Sequence, residues 1–68
     1  MPGYQIQFVR NGLAETTPEI IDTIFVALPS VDHAVKKART HAVFVPVAIG
    51  FRILDSTDRQ VALEAIRR

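Results

Sequence analysis

One segment of this chain admits a single local structure and limits what the rest can do. In residues 30–42, SVDHAVKKARTHA, Val31, Ala34, Val35, Ala38 and Ala42 recur at a helical period and share one stripe, while Asp32, His33, Lys36, Lys37, Arg39 and His41 lie away from it. Pro29 stops the preceding segment, and the Ser30 hydroxyl is placed to accept from a first-turn N–H. Asp32 falls at the positive end of the helix dipole and Lys37, Arg39 and His41 toward the negative end. The small residues Ala34, Ala38 and Ala42 let such a helix lie close to a flat surface. The remaining segments supply one.

Residues 4–10, YQIQFVR, alternate Tyr4, Ile6 and Phe8 against Gln5, Gln7 and Val9, the period of a strand with one buried face. Asn11-Gly12 follows as a turn signal, and the polar, proline-containing LAETTPE makes the connection longer than a minimal hairpin. Residues 20–28, IIDTIFVAL, read in two ways. As a strand they place Ile20, Ile24, Val26 and Leu28 on one face with Asp22; as a helix, Thr17 caps and Pro18 occupies the first turn. Poor helix propensity across IIDTIFV favours the strand. Pro46 and Gly50 break up VFVPVAIG, residues 51–54 read as a strand, and Asp55, Ser56, Thr57 and Asp58 supply turn chemistry. Residues 61–68 fit a short closing strand with a helical ending, although Thr57 and Gln60 also have the spacing of a capping box.

The expected fold is therefore one α+β domain over residues 1–68, in ββαββ order, with a mainly antiparallel four-stranded sheet and the helix across one face. With 49% hydrophobic residues in 68, the chain has more apolar material than a lone helix and a few strands can hide, so self-association, as a homodimer, is expected. The absence of cysteine excludes a disulfide framework and thiolate metal sites and suits a reducing compartment. MPGYQIQFV lacks the pattern of a signal peptide and no stretch is long enough to span a bilayer, which gives a cytoplasmic, non-membrane expectation.

The candidate sites are few. His33 and His41 are about two helical turns apart, too far to grip one metal ion. Lys36, Lys37, Arg39 and His41, joined by Arg52 and Arg59, are the nearest approach to a phosphate-binding face, but a net charge of +1 and no interleaved aromatics count against it. Asp55, Asp58 and Glu64 as paired acids lack room for a pocket, and turn formation accounts for both aspartates. Ser30 is claimed by capping, Ser56 and Thr57 suit a turn, and the isolated glycines form no phosphate-cradling loop. Phe8, Phe25, Phe44 and Phe51 fall one to a segment, as a shared core requires. Val43, Phe44, Val45, Val47 and Ile49 form a candidate apolar interface.

The succession YQIQFVR, NG, LPSVDHAVKKA and FRILDSTDRQVA resembles a group of small uncharacterised bacterial ββαββ proteins, through Tyr4, Asp32, Ala34, Ala38, Arg59 and Val61. The resemblance implies an α+β fold with no assigned activity and transfers no functional residues. The stretch between Ala42 and Phe51 is longer and more apolar than that group shows. Leu28-Pro29 leading into residues 32–38 is also similar to small antitoxins of toxin–antitoxin pairs, without the glycine and cysteine that follow the proline there. The expectation for function is a non-enzymatic module, without cofactor or metal, that binds a protein partner or itself. The alternative is a nucleic-acid-binding or antitoxin-like regulator using the basic face of the helix.

Overall fold

A computed structural model describes residues 2–10 and 19–66 of the chain. The Asn11-Gly12 turn and the Thr17-Pro18 cap lie outside the described residues, and of residues 61–68 those described are strand to Ala65 and show no helical ending through Ile66. The elements are β1 (Gly3–Val9), β2 (Ile20–Ala27), α1 (Val31–His41), a 3₁₀ turn (Ala42–Phe44), β3 (Gly50–Leu54) and β4 (Gln60–Ala65). The four strands form one antiparallel sheet in the order β2-β1-β3-β4. The fold is α+β in ββαββ order, with both hairpins side by side and the helix connecting them.

The chain between Pro29 and Ala42 behaves as its sequence dictates. Ser30 is extended and its hydroxyl accepts from the His33 amide at 3.4 Å, while Asp32 lies in the first turn and Arg39 and His41 in the last. Ala34 and Ala38 are wholly buried, and Val31 and Val35 pack beside them. They meet Tyr4, Ile6, Phe8, Phe51 and Ile53 on the facing side of the two central strands. Burying each of the larger of these side chains stabilises the fold by about 1.5–3 kcal/mol. Residues 20–28 resolve as strand because the β-branched run pairs along β1 from Gly3↔Ala27 to Val9↔Ile20, with a register shift between Phe8 and Val9.

Two expectations need correction. Val45 does not belong to an exposed interface: it is buried in the core together with Ala48. The reason is the turn geometry, since the Val45 amide bonds the Ala42 carbonyl and the Ala48 amide bonds the Val45 carbonyl, both at 3.0 Å, which rolls these two side chains inward. The four phenylalanines do not share one core either. Phe8 and Phe51 are fully buried, whereas Phe25 and Phe44 are 77% and 75% exposed.

The β3–β4 turn is built around Asp55. Its Oδ1 accepts from the Thr57 hydroxyl at 2.6 Å, the Thr57 amide at 2.8 Å and the Arg59 amide at 3.1 Å, and Asp58 takes φ of 64°, the left-handed region in which aspartate is tolerated. A capping box at Thr57 is thus replaced by an Asx-type turn. These bonds, that from the Thr57 hydroxyl foremost, hold the Asp55 carboxyl below its ordinary value of 3.8. A carboxyl with a lowered folded-state pKa stabilises the fold at pH values above its unfolded pKa, and that contribution is lost as pH falls through the folded one. Asp55→Ala is accordingly expected to melt below the parent at pH 7, with the difference narrowing under about pH 4. Circular-dichroism melts across pH 2.5–7 check this; a difference constant over that range would contradict it.

Candidate functional site

The helix lies along the sheet so that its polar flanks reach both edge strands. At about 100° per residue, Arg39 and His41 fall on opposite sides of the buried Ala34–Ala38 line, and Lys36 and Lys37 project from the outer surface between them. Arg39 donates through Nε and Nη2 to the two carboxylate oxygens of Glu64 on β4, both at 2.7 Å. Glu64 raises the already high pKa of that guanidinium, through hydrogen bonding first and charge second. His41 Nε2 lies 3.6 Å from Asp22 Oδ2 on β2, an ion pair when the ring is protonated.

The basic quartet is thereby divided. Arg39 is turned to one sheet edge and matched by a carboxylate, His41 is turned to the other, and Lys36 and Lys37 stand exposed on the outer turn. Arg52 lies on the other side of the sheet, where its Nε donates to the Gln7 amide oxygen at 2.5 Å. Arg10 closes the β1–β2 hairpin on Glu19 through two hydrogen bonds. A phosphate backbone laid on α1 meets two lysines and a carboxylate to either side, rather than a continuous cationic stripe. Sequence periodicity had not revealed the two acids, although one signal was present. Asp22 stands among Ile20, Ile24, Val26 and Leu28, a lone charge in an otherwise apolar row that marks a point where a cation can approach.

The apolar candidates sort cleanly. Val43, Phe44, Val47 and Ile49 are exposed, while Val45 and Ala48 hold the segment to the core. Its backbone continues into the sheet, for the Ile49 amide donates to the Val9 carbonyl at 2.9 Å and the Ile49 carbonyl accepts from the Ile66 amide at 2.8 Å. Phe44 is also tied inward by a run of rings. His41 lies 5.7 Å from Phe44 and 5.3 Å from Phe8, and Phe8 lies 6.1 Å from Phe51, centroid to centroid. Ile20, 43% exposed, sits at the same end of the sheet through its pairing with Val9. These five exposed side chains lie at one end of the sheet, on a backbone held by hydrogen bonds.

Groups with chemical potential are otherwise occupied. Ser30 Oγ lies 2.8 Å from His33 Nδ1 as well as capping the helix, and Asp55 is committed to its turn. A groove between α1 and β4 is lined by Arg39, Ala42, Phe51, Leu63 and Glu64, and its charged groups bond each other. Among the described residues no group of three or more His, Cys, Asp or Glu is gathered to hold a metal ion, and no helix is long and apolar enough to cross a membrane. The candidate surfaces stand on this geometry alone, for no protein-family model, no curated protein and no solved structure matches the chain.

Proposed function

We propose that this chain is a protein-interaction module rather than a catalyst, and that its contact surface for a partner is the apolar end made of Val43, Phe44, Val47 and Ile49, with Ile20 beside it. The observation that carries this reading is the burial pattern along residues 43–49: Val45 and Ala48 are buried, while Val43, Phe44, Val47 and Ile49, with Pro46 among them, project outward from a backbone fixed by hydrogen bonds to β1 and its own turn. Large apolar side chains held rigidly in water lose little conformational entropy when a partner covers them, which favours binding. The commitment of Ser30 and Asp55 to a cap and a turn supports the non-catalytic half of the reading. The absence of cysteine suits action in a reducing, cytoplasmic setting.

Phe44→Asp leaves the fold intact and abolishes the complex, because it sets a charge in the middle of the apolar contact. The measurement is affinity capture with the parent and variant as paired baits, followed by calorimetry of the purified partner. The expected partner is a protein, bound with negative heat-capacity change and little dependence on salt. A nucleic acid retained equally by both baits, and released steeply by salt, would overturn the proposal in favour of phosphate contacts by Lys36 and Lys37.

A further inference from the structure

The ladder pattern identifies which backbone groups of β2 face away from the sheet. The Leu28 amide donates to the Pro2 carbonyl and the Arg10 amide to the Glu19 carbonyl, so the even residues from 22 to 28 are hydrogen-bonded to β1. Thr23, Phe25 and Ala27 consequently direct their N–H and C=O groups outward from the edge. The Thr23 amide is taken by its neighbour's carboxylate, Asp22 Oδ1, at 2.9 Å. Among the described residues nothing bonds those of Phe25 and Ala27. Protection of this edge is confined to its Asp22 end: residues 23–28 hold no charge, no proline and no bulge, and Phe25 among them is the most exposed large apolar residue described.

We infer that β2 pairs antiparallel with β2 of a second copy, about a two-fold axis at Phe25, giving a continuous eight-stranded sheet. A second copy fits because the strand is self-complementary about its midpoint, Phe25 meeting Phe25 and Ile24 meeting Val26, and three features fix the register. First, the regular part of the strand is bounded by the register shift before Asp22 and by Pro29, which has no N–H, and its midpoint is Phe25. Second, side chains directly opposite in an antiparallel sheet lie on the same face, so the axis passes through a residue and not between two. Third, the charge pattern chooses among such axes. Centred on Phe25, the pairing sets Phe25 against the partner's Phe25, Ile24 against the partner's Val26, Thr23 against the partner's Ala27, and Asp22 against the partner's Leu28.

Centres nearer Asp22 bring the two carboxylates together and run into the irregular end of the strand; the Phe25 centre avoids both. In this register the Phe25 amides and carbonyls bond reciprocally, and each Ala27 amide meets a Thr23 carbonyl. The contact is isologous and closes at two copies. Because the strands run antiparallel, the two apolar ends proposed above lie at opposite extremes of the joined sheet. The dimer therefore does not consume them, and this inference stands whether or not that partner surface is correct.

Sedimentation equilibrium of the full chain, with residue-resolved amide hydrogen exchange at low and high protein concentration, tests the pairing without any substitution. Dimerisation is expected, with concentration-dependent protection at the Phe25 and Ala27 amides, whereas Ile24 and Val26 are protected throughout. Phe25→Lys, a change at an exposed side chain, is expected to raise the dissociation constant at least about tenfold through lost aromatic contact and facing like charges. Phe44→Asp should leave it unchanged. A chain that stays monomeric at millimolar concentration overturns the inference, as does a dimer disrupted by Leu63→Lys on the opposite edge or by Phe44→Asp but not by Phe25→Lys.

Discussion

Ala38→Lys is expected to abolish the cooperative thermal transition. Ala38 has no exposed surface and belongs to the same buried cluster as Ala34, Ala42, Phe8 and Phe51, so there is no volume for a longer side chain. Overpacking of a dense core costs about 1–3 kcal/mol, and an unpaired ammonium adds several kcal/mol more after relaxation. A domain of this length has a total stability of roughly 3–10 kcal/mol. The substitution therefore meets or exceeds what holds the chain folded, unless the helix leaves the sheet. Circular dichroism and the dispersion of amide proton signals register either result. Lys37→Glu, one residue away and exposed, is expected to change stability by no more than about 0.5 kcal/mol. A parent-like melt of Ala38→Lys would refute the packing of α1 on the sheet.

The contrast between positions 37 and 38 shows how far the sequence could be read. The helix was legible because cap, charge order and small-residue stripe all agree, and each is a local property. Alternation exposed β1, and the turn chemistry of Asp55 and Asp58 located the β3–β4 corner. What local patterning could not supply was the side of a side chain that depends on a neighbour distant in sequence. Val45 looks like Val43 and Val47 in the sequence, and only the turn bonds at Ala42 and Ala48 decide that it alone of the three is buried. The same holds for Arg39 and His41, whose charges count toward a basic face until Glu64 and Asp22, brought up by the two edge strands, claim them. One phenylalanine to a segment reads as a shared core, but the place of Phe25 on an edge strand, with the helix on the other face, leaves it outside.

Phe51→Ala is expected to be nearly as damaging as the charge at position 38, and Phe44→Ala nearly silent, although the two residues are close in sequence and identical in chemistry. Phe51 is fully buried, touches Phe8, and is paired with β1 and β4 at once. Its truncation removes transfer free energy and leaves a cavity in a core too small to refill it, a loss of about 3–5 kcal/mol. Against a total of roughly 3–10 kcal/mol, that leaves a large unfolded fraction at 37 °C. Phe44 is three-quarters exposed and touches His41 at its inner edge, so its truncation removes about 1 kcal/mol or less. Urea titrations of both variants, read by amide signals of β1, separate the two. Equal losses would mean that Phe44 belongs to the structural core and that the apolar end is not a surface held ready for a partner. Unequal losses in the stated order would show that the protein keeps a phenylalanine in water that its own stability does not require. A side chain of that kind, fixed by a ring contact and a hydrogen-bonded turn, is what a binding surface needs and what folding alone does not explain.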